Sequence, residues 1–171
     1  MAPPPSSTIS RVITLLLKIV MFTLLLASLV VLVTDTATIS VDLFPDSTVH
    51  FDDIYTYRYV LASIIIGLVY SLLQTAFSLY HIATGNRLIA GDGAFVFDFY
   101  GDKAISYMVA TGSAAGFGAT KDLKALADAA KLDLDDYFDK AYASASLLLI
   151  AFFCAATLSV FSSYALPKMV N

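Results

Sequence analysis

The sequence predicts an all-α membrane protein, a four-transmembrane-helix bundle with a short β-hairpin in the first extracellular loop and a short amphipathic helix in the second. Three observations lead there. The 171 residues are 58% apolar and only 14% charged, with mean hydropathy +0.78, whereas a soluble domain is roughly 45–50% apolar and about 25% charged. Four stretches approach the ~20 apolar residues that a span requires. The segments between them are short and leave no length for a soluble catalytic domain.

Residues 1–11 read as a disordered cytoplasmic tail, because Pro3, Pro4 and Pro5 stand in sequence among serines. The transmembrane domain then covers 12–166. Its first helix is 12–33, apolar except for Lys18 and too long for a signal-peptide core. The second is about 59–82, the third about 99–119 and the fourth about 143–166, where Pro167 stops it. Residues 167–171 form a cytoplasmic C-terminus.

In the first loop, Thr38 to Phe44 and Thr48 to Phe51 alternate in polarity around Pro45-Asp46, the pattern of a hairpin turning at that dipeptide. In the second, Leu123, Leu126, Ala127 and Ala130 recur at helical spacing among Lys and Asp, which suggests a short helix lying on the membrane surface. Orientation is read from two opposing signals. The basic-residue count disfavours a cytoplasmic N-terminus, since Arg58, Lys121, Lys124, Lys131 and Lys140 would lie outside. The first helix usually dominates, however, and it has Arg11 before it and no basic residue after it until Arg58, which favours cytoplasmic termini. The outer loops then carry 11 of the 14 Asp. That face reads either as an acidic surface for cations and basic segments or as solvated turns and caps.

The net charge of −4 argues against a nucleic-acid partner. Cys154 is alone and cannot form an intrachain disulfide. No nucleophile elbow, phosphate loop or Cys-x-x-Cys is present, so no catalytic residues are expected and the protein reads as non-enzymatic. His50, Asp52 and Asp53 are potential cation ligands, but adjacent ligands on a short loop read better as a solvated turn; neither metal nor cofactor is expected. His81 reads as an interfacial residue at a helix end.

Intramembrane charges are costly unless paired or turned inward. With parallel helices one and three, Lys18 lies roughly 9 Å and Asp102 roughly 5 Å past their starts at ~1.5 Å per residue, a match that predicts a structural ion pair Lys18–Asp102. The bland alternative is a snorkelling Lys18 and an Asp102 in a wet first turn. Small residues one turn apart mark close helix packing at Gly112 and Gly116, Ser63 and Gly67, and Ala151 and Ala155. Contact within the bundle is favoured there over a subunit interface.

Six segments stand out together: Leu29 to Thr34, Tyr57-Arg58-Tyr59, Tyr70 to Gln74, Phe97 to Asp102, Ser106-Tyr107 and Gly112 to Ala115. With them the sequence resembles the Casparian strip membrane domain protein-like family of plants, MARVEL-related four-helix membrane proteins. The resemblance covers all four spans. It implies a plasma-membrane location and cytoplasmic termini, a basic residue in helix one and an Asp in helix three. Asp102 fits the latter; Lys18 replaces the usual Arg, with Arg11 seven residues earlier on nearly the same face. The first loop lacks the signature of strip-forming members and the outer loops lack the cysteines of many relatives, departures that point to a "like" protein. The resemblance further implies a scaffold in the lipid bilayer that self-associates, forms homo-oligomers and hetero-oligomers with related members, and localises cell-wall-modifying proteins. The competing reading is a small channel or transporter using the Lys18/Asp102 pair.

Overall fold

The computed structural model describes residues 5–41, 44–50, 53–84 and 93–165. Within them the chain runs through helix α1 (Pro5–Val33), strands β1 (Thr36–Val41) and β2 (Phe44–His50), and helices α2 (Tyr55–Thr84), α3 (Gly93–Ala129) and α4 (Asp135–Ala165). Each helix packs on the next, and α4 closes the ring against α1. The diagonal pairs, α1 with α3 and α2 with α4, make the least contact. Alternating direction brings the start of α1 and the end of α4 to one end, the terminus end. The β1–β2 ribbon lies at the other, the ribbon end.

The expected fold class needs three corrections. Only three helices are long and apolar enough to cross a membrane among the described residues: Val12–Val33, Tyr55–Thr84 and Asp135–Ser163. Helix α3 falls short because Asp98, Asp102 and Lys103 sit near its start, small residues fill its middle, and Lys121, Asp122 and Lys124 follow. The separate amphipathic surface helix does not exist either. Its residues continue α3 without a break to Ala129, so that α3 has 37 residues and is about 55 Å long at 1.5 Å per residue.

The expected hairpin turning at Pro45-Asp46 is also wrong, since both residues lie inside β2. The ribbon that forms pairs Thr36 with His50 and Val41 with Phe44, with an irregularity between Ile39 and Val41. Proline is tolerated at a strand edge, and every strand of a two-stranded ribbon has an open edge. Helix α1 begins at Pro5, inside the stretch expected as a disordered tail; a proline at the first helical position forfeits no helical hydrogen bond. Residues 166–171 lie outside the described residues, as do Asp52 and the side chains of His50 and His81.

In lipid, burying a Leu brings little gain, so close packing and hydroxyl bonds have to hold helices together. Ser28 of α1 and Ser144 of α4 each donate to the other's backbone carbonyl, at 2.9 and 3.0 Å. Ser113 of α3 donates to the Ala145 carbonyl of α4 at 3.0 Å. Glycine opens the approach. A Cβ on Gly112 would lie 2.9 Å from the Ser63 Cβ of α2, one on Gly116 would lie 3.2 Å from the Ala145 Cβ of α4, and one on Gly67 would lie 3.2 Å from the Leu25 side chain of α1. Gly118 meets nothing within 4 Å. Ala151 and Ala155 are buried on α4.

These distances predict a ranking. Gly112→Ala should destabilise the protein by about 1–3 kcal/mol through overpacking, Gly116→Ala less, and Gly118→Ala not at all, because it adds only helix propensity. Thermal unfolding in detergent checks the order. Equal melting of the Gly112 and Gly118 variants would show that the α2–α3 contact is loose.

Candidate functional site

Four fully buried side chains fill the middle of the bundle, Leu25 of α1, Ile64 of α2, Val109 of α3 and Leu148 of α4. Toward the terminus end this apolar layer gives way to a polar cluster drawn from all four helices. Lys18 is its cation. Its ammonium donates to Gln74 Oε1 at 2.9 Å and to Ser78 Oγ at 3.0 Å. The Gln74 amide donates in turn to the Tyr70 hydroxyl and to Asp98 Oδ1, both at 2.8 Å. Tyr70 donates to Asp102 Oδ1 at 2.8 Å, and Ser162 of α4 donates to Asp102 Oδ2. Lys18, Gln74 and Asp102 are all buried.

The polarity of this relay is dictated by its ends. An ammonium donates only and a carboxylate accepts only. A primary amide between them therefore turns its oxygen to the lysine and its nitrogen to the aspartates. The cluster brings Lys18 and Asp102 into one hydrogen-bonded network but not into the direct ion pair expected from their depths, because α1 and α3 are diagonal partners in the ring. Residues of α2 and α4 stand between them. A direct salt bridge joins Lys124 to Asp135 instead, at 2.7 Å on the surface between α3 and the start of α4.

Tyr70, Gln74 and Ser78 are not among the predicted site residues although a signal exists. Tyr70, Gln74 and Ser78 are spaced four apart on α2, a polar stripe at helical period on an otherwise apolar span. Asp98 and Asp102 repeat the spacing on α3. Gly101 has its own purpose, since a Cβ there would lie 2.5 Å from the Tyr70 hydroxyl and push it off Asp102. Chemically the cluster is a closed lock. Its donors are aimed at its own acceptors, and no group of three His, Cys or Asp side chains able to hold a metal gathers among the described residues.

The profile of the Casparian strip membrane protein domain matches residues 7–154. The chain belongs to this family. Its relatives are plant proteins that it matches over most of their length. It is 58% identical over 170 residues to CASP-like protein 4D1 of Ricinus communis, covering 99% of this chain and all of that one. It is 52% identical to CASP-like protein 4D1 of Populus trichocarpa, covering 95% and 90% of the two chains. It is 48% identical to CASP-like protein 4D2 of Arabidopsis thaliana, covering 98% and 99%. No solved structure matches. Membership establishes a CASP-like membrane protein, and the polar lock draws on two of the segments that carried the resemblance to it, Tyr70 to Gln74 and Phe97 to Asp102.

If the lock works as one unit, residues that do not touch should still couple. Lys18→Met and Asp102→Asn are expected to show a coupling energy of about 0.5–3 kcal/mol in a double-mutant cycle. The coupling should vanish in a Gln74→Leu/Tyr70→Phe background, where the relay is cut. Additive losses in the parent background would mean that the two charges are held independently.

Proposed function

We propose that this protein is a non-enzymatic plasma-membrane scaffold that self-associates into membrane platforms, alone and with related family members, and localises cell-wall-modifying proteins. Its N- and C-termini face the cytoplasm, and its ribbon end faces the wall. The observation that carries the reading is the apolar layer formed by Leu25, Ile64, Val109 and Leu148, each with no exposed surface. A conducting path needs polar groups along its whole length or a hydrated axis. Here the polar lock ends against a dry plug, which favours a structural role for Lys18 and Asp102 over the channel or transporter alternative. Family membership supports the same reading. The outward face of the helices supplies apolar area for lipid and for neighbouring copies, with Leu16, Val30, Val69, Leu72, Phe153 and Val160 all exposed.

Cytoplasmic termini are favoured by Arg11 directly ahead of the apolar span Val12–Val33 and by the absence of a basic residue directly after it. On that orientation Asp133, Asp135, Asp136 and Asp139 face the wall, where their charge attracts basic segments of wall proteins. Recruitment of this kind weakens with salt.

Fluorescence recovery of a tagged full-length copy in a plant plasma membrane tests the scaffold. Slow recovery confined to patches is expected, and recovery at the rate of a freely diffusing monomer would overturn it. Proximity labelling tests the acidic face separately. A variant with the four Asp changed to Asn, equally abundant at the membrane, should lose basic wall-protein neighbours; an unchanged neighbour set would reduce those acids to solvation.

A further inference from the structure

Asp35 follows α1 directly and precedes β1, outside the apolar span. It is nonetheless only 1% exposed, and both of its carboxyl oxygens are buried without a hydrogen-bond partner. A charged carboxylate in that position is expensive, since an unmet buried charge loses its hydration and gains nothing. The groups around it do not meet it. On α2, the Tyr57 hydroxyl is committed: Thr120 of α3 donates to the Gly116 carbonyl at 2.7 Å, so Tyr57 donates to Thr120 at 2.9 Å. On α4, the Tyr137 hydroxyl is buried and has no partner either. Its ring packs edge to face on Tyr57 at 6.4 Å, and both tyrosines lie within electrostatic range of Asp35.

Lys140 of α4 acts on Asp35 from a distance without forming an ion pair. Asp53, just before α2, acts on Tyr137. Arg58 stacks on the Tyr55 ring at 5.1 Å, Lys124 is held by Asp135, and the last turn of α1 has no basic residue. His50 is paired through its backbone with Thr36, the residue after Asp35.

We propose that Asp35 is a proton-operated latch: protonated, it lets the root of the ribbon pack closed against α2 and α4, and ionised, it forces that packing to loosen. Ionisation leaves the carboxylate three ways to be satisfied, the Tyr137 hydroxyl, the Lys140 ammonium or entering water. Each requires the end of α1 to move relative to the start of α4. Burial pushes the Asp35 carboxyl up to about 6, and Lys140 offsets part of that rise. The sign follows. A carboxyl whose folded-state value is raised binds more protons folded than unfolded, so its contribution is fully present below the ordinary carboxylate range and is lost as pH rises through about 6.

The test compares thermal unfolding of the full-length parent and Asp35→Asn in detergent across about pH 4.5–8. Asn mimics the neutral acid at every pH, so the melting temperature of the parent minus that of the variant should fall as pH rises through the window. A flat or rising difference overturns the latch. If Asp35→Asn does not fold, Lys140→Gln serves, since removing a surface cation should move the parent's midpoint to higher pH; an unmoved or lowered midpoint overturns it. An imidazole ordinarily changes charge in the same range, so His50→Asn must keep the transition. Its loss in that variant would assign the response to His50 and overturn the proposal.

Discussion

A lysine ammonium buried among apolar helices must be met by acceptors from its neighbours, and the architecture at the terminus end follows from that demand. Lys18 faces the bundle interior, where α2 offers the Gln74 carbonyl and the Ser78 hydroxyl. An amide that accepts from a cation has its donors left over, and these fix Asp98 and Tyr70. Tyr70 reaches Asp102 only because position 101 is glycine. Ser162 brings in the fourth helix. A shift of any helix by one residue along its axis, about 1.5 Å, would break at least one bond of the chain. The polar cluster thus selects the register that the apolar contacts alone would leave degenerate, the best-attested use of buried polar groups.

The rest of the bundle obeys a different economy. Above the lock, Ser28, Ser113 and Ser144 use backbone carbonyls of the facing helix as acceptors, and Gly112 and Gly116 bring α3 against α2 and α4. Interhelical hydrogen bonds in membranes average only about 0.6 kcal/mol each. No single seam therefore dominates, and stability is spread over many small contacts, whereas the lock concentrates it in a few coupled ones.

What could be read from the sequence depended on whether the signal was local. The cores of α1, α2 and α4 are long apolar runs and were visible as such. The α3 boundaries were not, because a helix that buries charges at one end and exposes them at the other has no uniform hydropathy. Pro45-Asp46 carries the local signal of a turn but sits within a strand instead. Lys18 and Asp102 were found by their cost in lipid, but the ring order of the helices is a long-range property, and it alone decides that a diagonal pair must communicate through Gln74 and Tyr70. The meaning of Gln74 lies in its four-residue spacing from Tyr70 and Ser78. Asp35 was invisible because nothing in an ordinary post-helix Asp announces that both of its oxygens will be enclosed.

Helix α3 runs unbroken from Gly93 to Ala129, and Asp102 near its start belongs to the lock. From Asp102 to Ala129 the rod extends about 40 Å at 1.5 Å per residue. At its far tip the chain reverses through Lys131, whose φ is 57°, and Lys124 ties the tip to Asp135 at the head of α4. The two helices therefore form a mast without a hinge. A sideways force on its free tip acts as torque about the tightly packed middle, and the short arm of that lever ends at Tyr70, Asp102 and Ser162. Load on the tip of this rod therefore reaches the terminus end of the bundle, where Asp102 belongs to the lock.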